Sequence, residues 1–198
     1  MTAPASKAST ATTPKGERRR RALVAAAADV LAEGGFDAVR HRAVAERAGL
    51  PLASTTYYFG SLDELVAAAV EYGSRIELDR CRQALDRADP GGGVDELVEL
   101  LLDALLGPAS RTDAEAVLLR YERFVAAGRR PWLGPLMRSL RVELDALLSD
   151  SMARFGRRID ADELARLVAV ADGAVISALI ESDPDPRGAA RRMLAPLL

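Results

Sequence analysis

A short stretch in the first third of the chain gathers side chains that suit an anionic partner. Three hydroxyl residues at 54–56 are followed by Tyr57, Tyr58 and Phe59, in a chain in which only 5% of residues are aromatic. Hydroxyl groups donate hydrogen bonds to phosphate oxygens and also bond the edges of bases. The same cluster would equally fill the core of a small domain. The choice depends on the elements that position these residues.

The composition argues against several other kinds of chemistry. The chain has one cysteine, Cys81, and one histidine, His41, which are too few for a disulfide framework or a structural zinc site. The glycine run at 91–93 lacks the spacing of a phosphate-binding loop. No grouping of residues suits nucleophilic, metal-assisted or acid–base catalysis. We therefore expect no enzymatic activity, no metal and no cofactor.

Length and charge favour a folded protein with a basic N-terminal segment. The 198 residues are 49% hydrophobic, enough for one good core or for a small domain attached to a larger one. There is no signal-peptide core and no run of about 18 apolar residues, so we expect a cytoplasmic protein without membrane contact. The first 60 residues hold nine basic and five acidic side chains, a formal +4, which leaves −6 on the remainder. Nucleic acid would be attracted to the N-terminal segment.

Apolar residues recur at helical spacing and no segment alternates like a strand, which predicts an all-α fold. A capping box from Ser61 to Glu64 is expected to start a long helix, in which Glu64 reaches back to Ser61. The glycine-rich segment at 89–93 is predicted as a flexible connector, and residues 1–15 have the composition of a disordered tail. The predicted helices cover residues 16–34, 41–48, 52–58, 61–88, 94–107, 112–128, 131–155, 161–182 and 187–195.

Two of these helices, 41–48 and 52–58, are joined by a turn at Gly49 and preceded by another helix. This is the order of a helix-turn-helix unit, whose second helix enters the DNA major groove. A plain helical bundle has the same spacing, so the arrangement alone leaves both open. The predicted segments are a tail at 1–15, a helix-turn-helix domain at 16–60 and a helical domain at 61–198.

Four groups of residues between 34 and 65 are more specific: Gly35-Phe36, Ala45 to Leu50, Tyr58-Phe59 and Ser61 to Leu65. In these positions the sequence resembles the tetracycline-repressor (TetR) family of bacterial transcriptional regulators. The resemblance implies a homodimer in which residues 52–58 of each subunit enter the major groove of a palindromic operator in double-stranded DNA. It also implies that the helical domain binds a small-molecule effector and dimerises.

The resemblance further implies which side chains touch DNA. They are Leu52, Ala53, Ser54, Thr56, Tyr57 and Tyr58, with Arg42 at the start of the preceding helix. The chemistry agrees, because hydroxyls suit phosphates and base edges, apolar groups suit thymine methyls, and Arg40 and Arg42 add positive charge. Phe59 is expected to be a core anchor, whereas Tyr58 suits the core as well as it suits DNA.

Two positions depart from the family pattern. Thr56 stands where many members have a tyrosine, and Leu62 where many have a lysine that contacts phosphate. Because Leu62 cannot make that contact, arginines have to supply more of the electrostatic attraction. The arginine run at 18–21 is a candidate, either as a phosphate-steering patch or minor-groove arm, or simply as a solvated helix start.

The dimer has independent support in the helix predicted at 161–182. Its apolar residues form two faces, which suggests that one face packs inside the subunit and the other against a partner. The helix at 131–155 is the expected second member of a four-helix interface, although burial within one subunit would give the same pattern. The two faces are Leu164, Leu167, Ala171, Val175 and Leu179, and Val168, Val170, Ala174, Ser177 and Ile180. The second helix contributes Leu136, Leu140, Leu144, Leu147, Leu148 and Met152.

Bulky apolar residues near the predicted helix ends, with a few polar neighbours, mark a candidate effector pocket. Ordinary core packing explains the same residues, and no feature identifies the effector. The candidates are Arg120, Tyr121, Phe124, Trp132 and Met137, with Glu122 as a further polar option.

Together these observations predict a ligand-responsive transcriptional regulator, in the first place a repressor that binds a palindromic operator as a homodimer and is released by a small molecule. The alternative is a helical protein-interaction module with a degenerate DNA-binding domain, and Leu62 is the residue that supports it.

Overall fold

The computed structural model describes residues 13–198, and every regular element in that range is helical. The all-α prediction is therefore confirmed. The α-helices are α1 (Pro14–Ala38), α2 (His41–Ala48), α3 (Ala53–Tyr58), α4 (Leu62–Arg87), α5 (Gly93–Leu106), α6 (Ala114–Gly128), α7 (Gly134–Arg154), α8 (Ala161–Ile180) and α9 (Pro186–Leu194). Short 3-10 helices cover Pro90–Gly92, Pro108–Arg111, Pro131–Leu133 and Ala195–Leu197. None of the described helices combines the length and the apolar character needed to span a membrane.

The first helix begins earlier than predicted, and its helical geometry is interrupted at the glycine pair where a stop was predicted. The tail predicted at 1–15 lies mostly outside the described residues, but Thr13 caps α1 by accepting a hydrogen bond from the N–H of Gly16 at 3.2 Å. At the other end, Gly35 has φ +67° and ψ −170°, which interrupts helical geometry before a last turn reaches Ala38. Glycine adopts this left-handed φ without steric cost, so the first run of helical geometry stops at the glycine pair, as predicted, and a short helical turn continues to Ala38.

The chain forms two compact units, one up to Ala69 and the other from Val70 to Leu198. In the first unit, α1 packs against α2 and α3. Leu23, Val44 and Phe59 are almost completely buried there. This small core fixes the position of the two short helices that carry the candidate DNA contacts.

A tight turn at Gly49 joins α2 to α3. Gly49 has φ +63° and ψ +32°, and the N–H of Leu50 donates to the carbonyl of Ala45 at 3.0 Å. Thr55 on the inner side of α3 is fully buried, and its hydroxyl donates to the carbonyl of Leu52 at 2.7 Å. The inner side of α3 is therefore held by Thr55, and the outer side is left open.

Two segments, the start of α4 and the glycine-rich segment at 89–93, differ in part from the prediction. At the start of α4, the N–H of Glu64 donates to Ser61 Oγ at 3.1 Å, as predicted. The Glu64 carboxylate, however, accepts from the N–H of Gly60 at 2.7 Å and not from Ser61. The segment predicted as a flexible connector is a 3-10 turn, in which Asp89 Oδ1 accepts from the N–H of Gly91 at 2.8 Å.

The core of the second unit is shared by α5, α6, α7, α8 and α9. Of the two apolar faces predicted on α8, the one with Leu164, Ala171 and Val175 is buried in this core, and so is Val168 of the other face. Leu140, Leu147, Leu148 and Met152 of α7 are also buried within the subunit, so their prediction as interface residues is wrong. Apolar spacing on a helix looks the same whether the apolar face meets its own subunit or another one.

A buried arginine links α9 to α5. Arg187 is only 7% exposed, and its guanidinium donates to Ser110 Oγ at 2.6 Å and to the Glu99 carboxylate at 2.7 Å. It also lies 3.0 Å from a carboxylate oxygen of Asp103. A buried ion of this kind is tolerated only while its partners are present.

Candidate nucleic-acid interface and effector cavity

The outer side of α3 presents uncharged hydroxyl and apolar groups. Tyr57 is 81% exposed, Leu52 is also exposed, and Ser54 and Tyr58 are half-buried. The structure therefore leaves the residues predicted for DNA contact accessible, while Thr55 between them is turned inward. We call the following set the α3 surface: Leu52, Ala53, Ser54, Thr56, Tyr57 and Tyr58.

The α3 surface is supported from within. The rings of Tyr57 and Tyr58 meet edge to face, with centroids 4.9 Å apart and an interplanar angle of 89°. Phe59 is buried, as predicted, and the guanidinium of Arg20 lies 5.1 Å from the centroid of its ring. The hydroxyl of Thr56 donates to the carbonyl of Ala53 at 3.2 Å, which leaves its lone pairs without a use in that bond, and the neighbouring Tyr57 is exposed.

The two arginines predicted to contact phosphates lie at the start of α2 and are loosely held. Arg42 and Glu46 form an ion pair at 3.3 Å in which the side chains are 84% and 71% exposed. Arg40 donates from Nε to the carbonyl of Asp37 at 3.3 Å. Exposed pairs contribute roughly 0–1 kcal/mol, so Arg42 can exchange Glu46 for a phosphate at little cost.

Arg47 on the same helix is bound much more firmly. Its two terminal nitrogens donate to the two carboxylate oxygens of Glu33 on α1, at 2.8 Å and 2.5 Å. The hydrogen bond from Arg47 lowers the pKa of Glu33. The two-pronged contact joins α2 to α1, and it holds Arg47 more firmly than the single contact with Glu46 holds Arg42.

The arginine run at 18–21 divides in the structure. Arg18 and Arg19 are exposed, Arg20 stacks over Phe59, and Arg21 lies 3.7 Å from Glu17. One member of the run therefore supports the core, and the others are open to solvent or weakly paired.

Leu62 is the half-buried first residue of α4. Asp63 and Glu64 follow it in the first turn, where carboxylates suit the positive end of a helix dipole. The start of α4 thus offers no cation to a phosphate.

The second unit contains a cavity of about 430 Å³. Four of the five residues predicted for an effector pocket line it, namely Arg120, Tyr121, Phe124 and Met137. Trp132 lies in the 3-10 helix before α7, is 39% exposed and does not belong to the lining. The apolar part of the wall comes from several helices and includes Leu78, Leu105, Leu140, Leu144, Val168 and Ile176.

Arg120 is the most constrained polar group of this wall. It is 9% exposed and donates to the Glu77 carboxylate at 2.6 Å and to the carbonyl of Leu105 at 2.9 Å. Its guanidinium also lies 5.1 Å from the centroid of the Phe124 ring. Each of these contacts stabilises the guanidinium in one place.

Tyr121 and Asp172 form the other polar pair. The Tyr121 hydroxyl donates to Asp172 Oδ1 at 2.7 Å. Burial, together with this hydrogen bond, raises the pKa of Tyr121, so the hydroxyl stays protonated and neutral. Sequence reasoning missed both Asp172 and Glu77. A lone carboxylate between Ala171 and Val175 in an apolar helix is a signal that identifies Asp172, whereas Glu77 lies among other charged residues.

Cys81 also lines the cavity and is half-buried. Burial raises the pKa of its thiol, and the nearby carboxylates of Asp103 and Glu77 raise it further. Within residues 13–198, no group of three or more His, Cys, Asp or Glu side chains is placed to hold a metal ion.

Comparisons with known proteins match both units. A family model described as bacterial regulatory proteins, tetR family, matches residues 23–69, and one described as tetracyclin repressor-like, C-terminal domain, matches residues 92–198. The HTH-type transcriptional repressor KstR of Mycolicibacterium smegmatis is 29% identical over 191 residues, which cover 86% of this chain and 91% of that protein.

Solved structures agree over nearly the whole chain. The multidrug binding protein EbrR, in its complex with ethidium, is 32% identical with a TM-score of 0.66, covering 94% of this chain and 99% of that one. A TetR family member from Streptomyces coelicolor A3, SCO1917, is 30% identical with a TM-score of 0.60, covering 91% and 98%.

The fold and these matches define a transcriptional regulator with an N-terminal helix-turn-helix unit. The chain belongs to the TetR family of bacterial regulatory proteins, and the resemblance carried by residues 34–65 is confirmed.

Proposed function

We propose that the protein is a repressor that binds a palindromic operator as a homodimer and leaves it when a small-molecule effector occupies the cavity. The observation that carries this proposal is the exposed α3 surface, whose opposite side is anchored by Thr55 and Phe59. A helix held in this way presents its outer side chains to a groove in a fixed orientation. KstR, which is described as a repressor, and EbrR, which is described as a multidrug binding protein, support the two halves of the proposal.

The α3 surface has no long side chain that could form two hydrogen bonds to one base. Residues 48–62 contain no Arg, Lys, Asn or Gln, the side chains that pair bidentately with guanine or adenine. Base recognition then falls to the hydroxyls of Thr56 and Tyr57 and to contacts of Leu52 and Ala53 with thymine methyl groups. We expect operator half-sites with thymines at the contacted positions.

Attraction to the phosphates comes from arginines outside α3. Arg40 and Arg42 are exposed at the start of α2, and Arg18 and Arg19 are exposed on α1. They compensate for Leu62, which cannot contact a phosphate. Because each neutralised phosphate releases counterions, binding should weaken steeply with salt.

A second copy of the chain is the partner that we propose for the outer face of α8. Large apolar groups are exposed on this side, with Ile180 on α8 at 78%. Small residues on the same face would let two helices approach closely, and α7 would complete a four-helix interface through exposed Val142. The exposed residues of the α8 face are Ala165, Ala169, Gly173, Ile176, Ser177 and Ile180.

The cavity is the effector site in this proposal. A volume of about 430 Å³ lies within the range of roughly 300–1,000 Å³ found for drug-sized ligands. An effector releases DNA if it favours a state in which the two recognition helices no longer match successive major grooves, about 34 Å apart. The affinity of the effector for the two states then sets how far the equilibrium moves.

A gel-shift competition tests the proposal. Fragments of the gene's own promoter region should compete better than random DNA of the same length and base composition, and binding to both should weaken as the salt concentration is raised. A variant with both Tyr57→Ala and Arg42→Ala should lose this selective binding, while Arg47→Ala serves as the control that removes one positive charge from the same helix. Equal competition by all fragments would contradict the proposal.

The second candidate, an interaction module with a degenerate DNA-binding domain, is favoured by Leu62 alone. The Tyr57→Ala and Arg42→Ala double variant separates the two candidates. An interaction module keeps its partner protein after this change, whereas a repressor loses its operator.

A further inference from the structure

The guanidinium groups that line the cavity already hold carboxylates. Arg120 donates to Glu77 at 2.6 Å from a buried position. Arg141, at the more exposed side of the cavity, donates from Nε to Asp145 at 2.6 Å. An anionic ligand would have to share an arginine with the carboxylate that this arginine already holds.

Asp172 is different. In the part of the chain that the structure describes, its carboxylate accepts a hydrogen bond from the neutral Tyr121 hydroxyl at 2.7 Å and takes part in no salt bridge. The residue is half-buried on α8 and lines the cavity beside Val168 and Ile176. A carboxylate with one neutral donor in an apolar wall is stabilised by any cation that enters.

We propose that the effector is an organic cation with an apolar, aromatic body, whose positive charge lies against Asp172. This inference rests on the proposed function, in which the cavity is the effector site. A cation reaches Asp172 without competing with another charged partner, whereas an anion has to share an arginine with a carboxylate that is already bound to it. The charge preference therefore follows from which side chains of the wall are already paired.

The aromatic and aliphatic side chains of the cavity wall favour a ligand whose uncharged part is apolar and aromatic. The rings of Tyr121 and Phe124 lie 6.0 Å apart at 69°, and aliphatic side chains from five helices surround them. Aromatic faces attract organic cations, and an apolar wall offers a small hydrated ion no replacement for its water. A flat ring system that carries one positive charge satisfies both requirements.

Three ring systems of nearly equal shape test the charge preference directly. They are N-methylacridinium, which is cationic, acridine, which is neutral at pH 7.5, and acridine-9-carboxylate, which is anionic. Each is titrated into the DNA-free full-length protein and followed by its fluorescence. We expect the dissociation constant of the cation to be at least tenfold lower than that of the neutral ring, with the anion weakest. Equal affinities, a preference for the anion, or no binding by the cation would overturn the inference.

Two substitutions locate the preference at Asp172. Asp172→Asn keeps an oxygen that can accept from Tyr121, so it should fold, and it should reduce the preference for the cation to less than about threefold. Tyr121→Phe removes the hydrogen bond but keeps the charge, so the preference should survive. The matched control is Asp150→Asn, the same change at an exposed position of α7 outside the cavity wall. An unchanged preference in Asp172→Asn would overturn the inference.

Operator release separates this inference from the proposed function. Cys81, the single cysteine of the chain, lines the cavity, so bound N-methylacridinium should protect its thiol from a maleimide. If the cation protects Cys81 and needs Asp172 but leaves operator binding unchanged, the ligand class stands and the proposed release mechanism fails. If neutral and anionic rings release the operator as well as the cation does, the mechanism stands and the ligand class fails.

Discussion

The arginine at the candidate DNA interface of the first unit and two arginines in the interior of the second unit are held in opposite ways. In the first unit, Arg42 is exposed and pairs with an exposed glutamate on its own helix. In the second unit, Arg120 and Arg187 are buried and each holds a carboxylate together with a further oxygen. A surface charge changes partner at little cost, whereas a buried charge does not. The first unit is thus suited to exchanging ions with phosphates, and the second to keeping its shape around a ligand.

The largest effect should come from breaking a buried ion pair of the second unit. Arg187→Ala leaves the carboxylates of Glu99 and Asp103 without their buried partner, so we expect the free energy of unfolding to fall by about 3 kcal/mol. Arg111 still contacts both carboxylates. We therefore expect a loss of stability at the lower end of the range seen when one partner of a buried ion pair is removed. Urea denaturation followed by helical circular dichroism measures it.

The matched change in the first unit is Arg42→Ala. The free energy of unfolding of this variant should stay within about 0.5 kcal/mol of the value for the unsubstituted protein, because the ion pair that the substitution removes is exposed. If both variants lose the same stability, the contrast between exchangeable and buried charges is wrong.

The next effect concerns the salt dependence of operator binding. Each phosphate neutralised contributes about 0.9 to the slope of log K against log salt, so Arg42→Ala should reduce the slope of a dimer by just under two. The measurement is a gel-shift or anisotropy titration between low and physiological salt. Arg47→Ala is the control, because its two-pronged contact with Glu33 is internal to the unit. An equal loss of slope in both variants would assign Arg47 to the DNA.

The same contrast explains how far the sequence could predict each region. The α3 surface is a run of neighbouring residues on one helix, and a left-handed turn at Gly49 sets where that helix begins. When the residues of a site are neighbours in the sequence, their arrangement can be predicted from the sequence alone. The prediction could therefore separate inward Phe59 from outward Tyr57, although their individual DNA contacts stay predictions.

The cavity is assembled from positions far apart in the chain. Tyr121 meets Asp172 across 51 residues, and Arg120 meets Glu77 across 43. The order of residues does not show which of them pair across such distances. Bulky residues near helix ends therefore led to Trp132, which does not line the cavity, and both carboxylates were missed, although the lone carboxylate in an apolar segment of α8 is a local signal for Asp172. The leucines of α7 were assigned to an interface for the same reason, since periodicity shows that a face is apolar but not which surface covers it.

A smaller effect should show that the α3 surface reads methyl groups. Replacing a contacted thymine by deoxyuridine removes one methyl, and burial of a carbon group of that size is worth about 0.8 kcal/mol, or roughly a fourfold change in affinity. Leu52→Ser should bind more weakly and lose the sensitivity to deoxyuridine, because the apolar contact is then absent. If deoxyuridine weakens the two proteins equally, Leu52 does not contact that methyl. Cytosine-to-5-methylcytosine changes outside the half-sites control for altered DNA stiffness.

The smallest effect is a shift in the reactivity of Cys81, which reports on the interior of the second unit. Only the thiolate reacts with iodoacetamide, and burial with the nearby carboxylates of Asp103 and Glu77 raises the pKa of the thiol. The rate of alkylation in the folded protein should therefore rise with pH later than in the urea-unfolded chain, whose cysteine titrates near an ordinary pKa of about 8.5. Equal midpoints in the two states would mean that water and ions reach Cys81 freely. In that case the charges around the cavity would be screened like those of Arg42, and the contrast between the two units would not extend to the effector site.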